Sequence, residues 1–225
     1  MRIVSDIRPK AIALALIDNI YDENLLWLIV SFIQGLIKND DLLSSITLPS
    51  SEHSKYAMAA IEKLFSDNNI DSKNVDKIMV VNGPGSFTGI RIGVTIAKIY
   101  AWALKIKVIP ISTLKAYAIS NTGYKYYVCM IDARRDCYYA SIYDSNYNDI
   151  LEQRYIEKKD LIKEIDKLDN YLIISNSSFD NYSYEKPTLN IKNIYEYYKN
   201  EEGINCHMLN PVYLKKTEAE EKLGE

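Results

Sequence analysis

The chain has few of the residues that carry metal, disulfide or nucleic-acid chemistry. Its 225 residues include 2 histidines, 3 cysteines and 8 glycines, and 27 Lys and Arg stand against 30 Asp and Glu. The net charge of −3 gives no basic excess that could displace counterions from a nucleic acid. The cysteines form no CxxC pair, which is typical of a reducing compartment, and we therefore expect a cytoplasmic protein.

Segments long enough to cross a membrane are also lacking. The apolar segment LLWLIVSFIQGLI (25–37) is too short for a bilayer and is better interpreted as a buried strand. The N-terminal apolar run ends at Asp18 without a cleavage site, which argues against a signal peptide. We therefore expect no membrane contact.

The pattern of apolar residues predicts an α/β protein with two lobes. In the first half strands alternate with helices, as in a βαβ unit, whereas the second half begins as an antiparallel meander. The predicted strands are 25–32, 42–48, 77–81, 107–111, 125–131, 136–144, 150–156 and 171–175, and the predicted helices lie between Ser50 and Asn68, up to Leu104, at 157–168 and at 189–200.

A predicted hinge near 112–124 separates the two predicted lobes. The N-terminal lobe is 1–112, with the glycine-rich turn, and the C-terminal lobe is 113–225. One face of the helix after Ser50 has apolar residues at helical spacing, which predicts that this face packs on the core. These residues are Ala57, Met58, Ile61, Leu64 and Phe65.

Half of the glycines lie in the segment VNGPGSFTGIRIG (81–93). A phosphate-binding GxxxxGK[ST] loop would need Lys and a hydroxyl after Gly89, and the GxGxxG pattern fails at Thr88. Because helix N-termini attract anions, Gly85, Ser86 and Thr88 remain weak candidates for an anion site. The turn is mainly interpreted as a tight exit from a strand.

The helix after this turn is apolar on nearly all sides. Gly89, Gly93, Ala97 and Ala101 recur every four residues, and a stripe of such small residues allows another backbone to approach closely. Two interpretations stay open, packing within the chain and a helix-to-helix subunit interface, of which we favour the interface. The predicted interface residues are Gly89, Ile92, Gly93, Ile96, Ala97, Tyr100 and Ala101.

Several of these segments resemble the TsaB (YeaZ) family. The resemblance rests on GPGSFTGIRIG (83–93) together with SEHSKYAMAAIEKLF, IPISTLKAYA, IDARRDCYYASIYD and PVYLKKTEAEEKL, and it covers about 36–156 and 210–223. It implies a two-lobed actin-like or hexokinase-like (ASKHA) fold with ribonuclease-H-like lobes and mixed sheets flanked by helices. In such folds the last helix can return to the first lobe.

The resemblance also implies a function. Family members are non-catalytic paralogues of TsaD, and they act with a TsaD subunit and the TsaE ATPase to install threonylcarbamoyl on adenosine 37 of ANN-decoding tRNAs. They also form homodimers, and the glycine-rich helix lies in the region used for pairing. The implied role is a scaffold that meets tRNA indirectly and binds no cofactor alone, while ATP and a metal ion belong to the partner subunits.

One departure from the catalytic relatives concerns metal binding. Those relatives have a His-Met-Glu-Gly-His metal motif at the step that corresponds to Thr113-Leu114-Lys115-Ala116-Tyr117 here. No imidazole or carboxylate stands there, so we expect no metal ligand and no catalytic residue. His53 and His207 are isolated and are expected to be structural or solvated. Two rival functions stay open: an ATP-dependent phosphotransferase of the same superfamily, with 83–88 at the phosphates, and a metal-dependent peptidase.

Arg134 and Arg135 lie between Asp132 and Asp136 at the tip of a predicted hairpin. Asp and Arg are common at such tips for turn geometry and solubility. The alternative is a small basic patch that contacts the partner or the tRNA backbone.

The start of the chain departs from the family, which usually opens with a strand ending in Asp-Thr-Ser. Either LLWLIVSF (25–32) is the first strand and 1–24 an extension, or MRIVSDI (1–7) is the first strand and 18–36 an insertion. The sequence leaves both alternatives open.

Overall fold

The computed structural model describes residues 11–15, 32–38, 40–48 and 53–215, which form two mixed β-sheets flanked by helices. The strands in these residues are β1 Ala11–Ala15, β2 Phe32–Lys38, β3 Asp41–Leu48, β4 Lys77–Gly83, β5 Lys107–Ser112, β6 Tyr126–Asp132, β7 Cys137–Asp144, β8 Asp149–Glu157 and β9 Tyr171–Ser175. The α-helices are α1 His53–Asp67, α2 Phe87–Leu104, α3 Thr113–Ile119, α4 Lys158–Ile165 and α5 Ile191–Tyr198, and 3₁₀ turns lie at Ser72–Asn74 and Cys206–Met208.

The first sheet has the strand order β3-β2-β1-β4-β5. Its first three strands are antiparallel, and β4 and β5 run parallel to β1. β4 is buried on both faces, as its unbroken apolar run predicts. Ile78 and Val80 face a core shared with α1 and α2, while Met79 and Val81 face the core around α3.

The second sheet repeats this arrangement with the order β8-β7-β6-β9. β6, β7 and β8 are antiparallel, and β9 runs parallel to β6. Val128 and Met130 of β6 pack with α4, and the alternate residues Cys129 and Ile131 face α3. The predicted α/β fold of two lobes with mixed sheets is therefore confirmed.

Helix α3 lies between the two sheets and joins their cores. The side chains of Leu114, Ala116, Tyr117 and Ile119 are buried, and they contact residues of β4 and β6. The sequence presents this segment as a connection near 112–124, without a helix. A helix that is buried on all sides shows no amphipathic period, which explains why the pattern did not reveal it.

Most predicted elements agree with the structure, with two corrections. Met58 of α1 is exposed and does not belong to the core face that its neighbours Ala57 and Ile61 form. β1 lies at 11–15, a position that neither alternative for the first strand proposed. The segments 1–7 and 25–31, on which those alternatives depend, lie outside the described residues.

The chain returns to the first lobe at α5, which contacts β1 and β3, and it continues along that lobe after the helix. Ile204 forms an antiparallel bridge with Val108 of β5, and Cys206–Met208 packs against α2. Farther on, the Val212 N–H donates to the carbonyl oxygen of Asn82 at 2.8 Å, and the Asn82 side-chain amide donates to the carbonyl oxygen of Asn210 at 2.9 Å. Residues 204–213, the return segment, therefore form part of the surface of the first lobe.

Replacement of Gly83 is expected to destabilise the fold through this return segment. Gly83 has φ +118°, and a Cβ there would lie 2.6 Å from the carbonyl oxygen of Val212. Gly83→Ala therefore adds a backbone clash to an unfavourable dihedral angle, and we expect a loss of about 3 kcal/mol in the free energy of unfolding, measured by urea denaturation.

Gly123→Ala is the matched control for this substitution. Gly123 has φ +94° and no heavy atom within 4 Å of the added Cβ, so only the dihedral cost of about 1 kcal/mol applies. Equal losses for the two variants would contradict the role of the return segment.

Candidate interaction surface around helix α2

Helix α2 is fixed at both ends by its own backbone and caps. The Ser86 hydroxyl accepts a hydrogen bond from the Gly89 N–H at 3.2 Å, so Ser86 is the N-cap that follows the glycine-rich turn. At the other end Lys105 adopts a left-handed conformation with φ 58°, which ends the helix. The turn is thus the tight strand-to-helix exit that the glycines predict.

The stripe of small residues on α2 faces the interior of its own lobe. Gly89, Gly93, Ala97 and Ala101 are all buried, and the two alanines pack in the core that contains Val80 of β4. Small side chains let α2 lie close to β4 and to the return segment. The interface assignment of these residues stays a prediction. Because they are buried within the chain, little of their surface is left for contact with another subunit.

The other predicted interface residues are half-buried. Ile92, Ile96 and Tyr100 pack at the margin of the same core. The Tyr100 ring stacks on Phe65 of α1 with 6.3 Å between ring centroids. These residues connect α2 to α1 and leave only part of each side chain accessible.

The exposed face of α2 has an apolar patch that the sequence did not reveal. Among the described residues Ile99, Trp102 and Met208 are the most exposed large apolar side chains, at 60%, 64% and 69%. Ile99 and Trp102 are one helical turn apart, and Met208 belongs to the 3₁₀ turn that packs on α2. We call these three residues the Trp102 patch.

Two cavities flank Trp102. One of about 490 Å³ lies between the end of α2 and the 3₁₀ turn, with Lys105, Lys107 and His207 in its lining. The second, of about 250 Å³, is lined by Lys98, Ile99, Trp102, Cys206 and His207. An exposed tryptophan between two concave surfaces is typical of a protein contact site, because a large ring there gains most from being covered.

At the N-terminal end of α2 an aromatic and cationic cluster holds the return segment. The Arg91 Nε donates to the Tyr213 hydroxyl at 2.8 Å, and the guanidinium carbon lies 3.6 Å from the centroid of the Phe87 ring. The rings of Phe87 and Tyr213 are 5.4 Å apart. The motifs GPGSFTGIR and PVYL, which are far apart in the sequence, therefore meet in one exposed cluster.

The anion-site candidates are placed in the turn before α2. Gly85 and Ser86 are half-buried and Thr88 is exposed. The Ser86 hydroxyl is occupied as the N-cap, so its oxygen already faces the Gly89 N–H that an anion would use. The geometry gives the anion-site prediction no additional support.

Arg134 and Arg135 are exposed at the tip of the β6–β7 hairpin. With Asp136 they form three consecutive residues in the left-handed region, with φ of 65°, 54° and 55°. The Asp132 carboxylate accepts the Arg134 N–H at 2.7 Å, which is the turn-forming role of an Asp at this position. The contact with a partner or tRNA stays a prediction.

The step that corresponds to the metal motif of the catalytic relatives is filled by core residues. Thr113 and Tyr117 are buried, and Lys115 reaches a cleft of about 500 Å³. The Lys115 Nζ lies 3.8 Å from the Asp149 carboxylate and 4.5 Å from the Tyr143 ring centroid. Burial lowers the pKa of Lys115 despite this carboxylate.

The remaining candidate residues do not gather into a reactive site. Within the described ranges no group of three or more His, Cys, Asp or Glu side chains is placed to hold a metal ion. His207 is exposed, the side chain of His53 lies outside the described part of the chain, and Cys129, Cys137 and Cys206 are buried free thiols. No helix of the described part is long and apolar enough to span a bilayer.

Comparison with known proteins places this architecture in a family. The family described as TsaD, tRNA N6-adenosine threonylcarbamoyltransferase, matches residues 47–199, which is more than half of the chain. The chain belongs to the TsaD family, as a TsaB/YeaZ member. The resemblance found in the sequence motifs is thereby confirmed.

Two relatives named tRNA threonylcarbamoyladenosine biosynthesis protein TsaB support this membership. The protein from Bacillus subtilis (strain 168) is 37% identical over 121 residues, which are 53% of this chain and 52% of the relative. The protein from Buchnera aphidicola subsp. Acyrthosiphon pisum is 27% identical over 178 residues, 76% of this chain and 80% of the relative. The chain thus matches about half the length of the Bacillus relative.

Solved structures agree with the fold. YeaZ from Pseudomonas aeruginosa superposes with a TM-score of 0.67 at 18% identity, over 91% of this chain and 100% of that one. A Pseudomonas aeruginosa protein described as similar to peptidase YEAZ gives a TM-score of 0.69 with the same identity and coverage. The chain therefore has the fold of these YeaZ structures, and together with the TsaD family match this is consistent with the predicted actin-like ASKHA fold.

The contact between Arg91 and Tyr213 is expected to stabilise the return segment. In a double-mutant cycle, Arg91→Ala and Tyr213→Phe should show a coupling free energy of about 0.5–1.5 kcal/mol in urea unfolding, because each variant removes the same hydrogen bond. A cycle of Lys98→Ala with Tyr213→Phe serves as the control and should be additive. Additive losses in the first cycle would show that the contact contributes nothing.

Proposed function

We propose that this chain is a non-catalytic subunit in threonylcarbamoyladenosine synthesis on tRNA, which activates a TsaD-type catalytic subunit by docking through α2 and the return segment. The observation that carries the proposal is the Trp102 patch, where the exposed side chains of Ile99 and Trp102 line one cavity beside the 3₁₀ turn that contains Met208. Patches of this kind mark contact sites in proteins that are otherwise well packed.

The docking surface proposed here differs from the stripe that the sequence favoured. Gly93 and Ala97 act indirectly, since they bring α2 close to β4 and so orient Ile99 and Trp102 outward. The cluster of Phe87, Arg91 and Tyr213 extends the exposed face toward the other end of the helix. We also propose that a TsaE-type ATPase is a further partner and that the isolated chain forms a homodimer. Contact with tRNA is proposed to be indirect.

The non-catalytic role is supported by the side chains at the β5–α3 step. Thr113 and Tyr117 are buried in the shared core, so neither is available as a ligand or as a reactive group. Lys115 is held by Asp149 and by the carbonyl oxygen of Tyr147. We propose that ATP and the metal ion bind to the partner subunits.

A reconstituted modification assay tests the proposed role. The chain is combined with tRNA, the TsaD-type and TsaE-type proteins and the carbamoyl-adenylate-forming enzyme of the same organism. Threonylcarbamoylation should collapse when the chain is omitted and return when it is added. Undiminished modification without the chain would overturn the proposal.

The rival phosphotransferase function is tested by calorimetry with Mg-ATP on the isolated chain. Ser86 is occupied as a cap, so we expect no binding tighter than about 1 mM. Micromolar binding would favour the phosphotransferase.

Trp102→Ala is expected to weaken docking of the TsaD-type subunit. An exposed tryptophan at the centre of a contact costs about 2 kcal/mol or more when truncated, which is about 30-fold in Kd. Isothermal titration with the TsaD-type subunit measures the change. The matched control is Ile150→Ala on β8, since Ile150 is 55% exposed but lies on the second lobe. Equal affinities for the two variants would contradict docking through the patch.

A further inference from the structure

The Trp102 patch is bordered by three lysines, of which two form no ion pair in the described part of the chain. Lys98 and Lys105 lie in the linings of the two cavities beside Trp102, and neither has a carboxylate partner among the described residues. The Lys98 Nζ contacts only the Asn210 side-chain oxygen, at 3.5 Å. The third lysine, Lys107, is paired with Glu202 at 3.2 Å.

Lys98 and Lys105 share this unpaired state with other described lysines such as Lys73 and Lys186, and they differ from those in lying beside the exposed apolar patch. Lysines outside the rim form ion pairs in several places, and the cavities beside Trp102 have no Asp or Glu in their linings. Examples of such pairs are Lys63 with Asp67, Lys125 with Asp169, Lys158 with Asp180 and Lys163 with Asp160. Among the described residues, a partner that covers the patch therefore meets two cations that have no paired carboxylate.

This charge distribution discriminates between two kinds of partner. A second copy of the chain, paired about a two-fold axis through the patch, would bring the same lysines of both copies together. Like charges across an interface lower affinity, whereas carboxylates on a different chain would raise the association rate and the affinity. The apolar side chains of the Trp102 patch alone would not distinguish a second copy of the chain from a different protein.

We infer that the Trp102 patch receives an apolar segment of a different protein that is flanked by Asp or Glu, and that Lys98 and Lys105 select this partner over a second copy of the chain. The inference rests on the proposed function for the existence of a docked partner, and it adds the chemistry of that partner. The two cavities that have Trp102 in their lining provide room for the partner's apolar side chains.

Charge reversal at the rim tests the inference, with the TsaD-type subunit of the same organism as the probe. The double variant Lys98→Glu/Lys105→Glu should weaken its binding about 10-fold or more at about 50 mM NaCl. At about 300 mM NaCl the charges are screened, so the difference in Kd between the variant and wild type should largely disappear. Isothermal titration at both salt concentrations measures Kd.

The matched control is Lys73→Glu/Lys186→Glu. It changes the net charge equally at exposed lysines outside the patch, and its Kd should remain within about 2-fold of wild type. If the rim variant and this control bind alike while Trp102→Ala still loses affinity, docking through the patch stands and the acidic partner is wrong. If Trp102→Ala also binds like wild type, the docking surface of the proposed function fails.

Self-association gives a second, independent readout. In sedimentation experiments an equal mixture of wild type and Lys98→Glu/Lys105→Glu should dimerise more strongly than either protein alone, because opposite charges then face each other across the patch. The opposite result would be a wild-type dimer that is as tight as the dimer in the mixture and that Trp102→Ala abolishes. That result would overturn the selection against a second copy.

Discussion

The close packing of α2 on β4 is the constraint on which the exposed surface of the first lobe depends. Residues without large side chains at four successive turns, Gly89 to Ala101, let the helix approach the sheet. Because one face of the helix is fixed in this way, the opposite face is fixed as well. The buried small residues of α2 therefore determine that Ile99 and Trp102 face the solvent.

The return segment completes that surface from the other end of the chain. Its hydrogen bonds with Asn82 and its contact with Arg91 hold residues 204–213 beside the glycine-rich turn. Tyr213 thereby lies next to Phe87 and Arg91 of α2, and the 3₁₀ turn that contains Met208 packs against the same helix. The glycine-rich motif and the PVYL motif thus form one structural unit.

The sequence predicted most of the architecture because strands buried on one or two faces have clear apolar patterns. β4, β9 and α2 lie within a few residues of their predicted positions. Helix α3 was missed because it is buried on all sides, and β1 was missed because AIALA is short and lies in a segment without a motif. The change from alternating strands and helices to a meander predicted two lobes, and the family motifs added the actin-like type of fold.

The candidate surface was predictable only in part. The spacing of Gly89, Gly93, Ala97 and Ala101 correctly marks a face of close approach, but spacing does not tell whether the approaching backbone belongs to the same chain. Trp102 lies three residues after Ile99, and this spacing is visible in the sequence. It did not indicate a surface patch, because the exposure of both side chains is known only from the structure. Met208 gave no such signal, because its neighbour on α2 is distant in sequence.

The path of the return segment has a consequence for the order in which the first lobe matures. During synthesis β1 to β5 and α2 emerge and can begin to pack while residues 204–213 are still inside the ribosome. Until that segment arrives, the edge of β5 lacks Ile204, and α2 lacks Met208 and Tyr213 beside it. A nascent chain therefore presents the candidate surface incompletely, and only a chain synthesised through Tyr213 carries all of its residues.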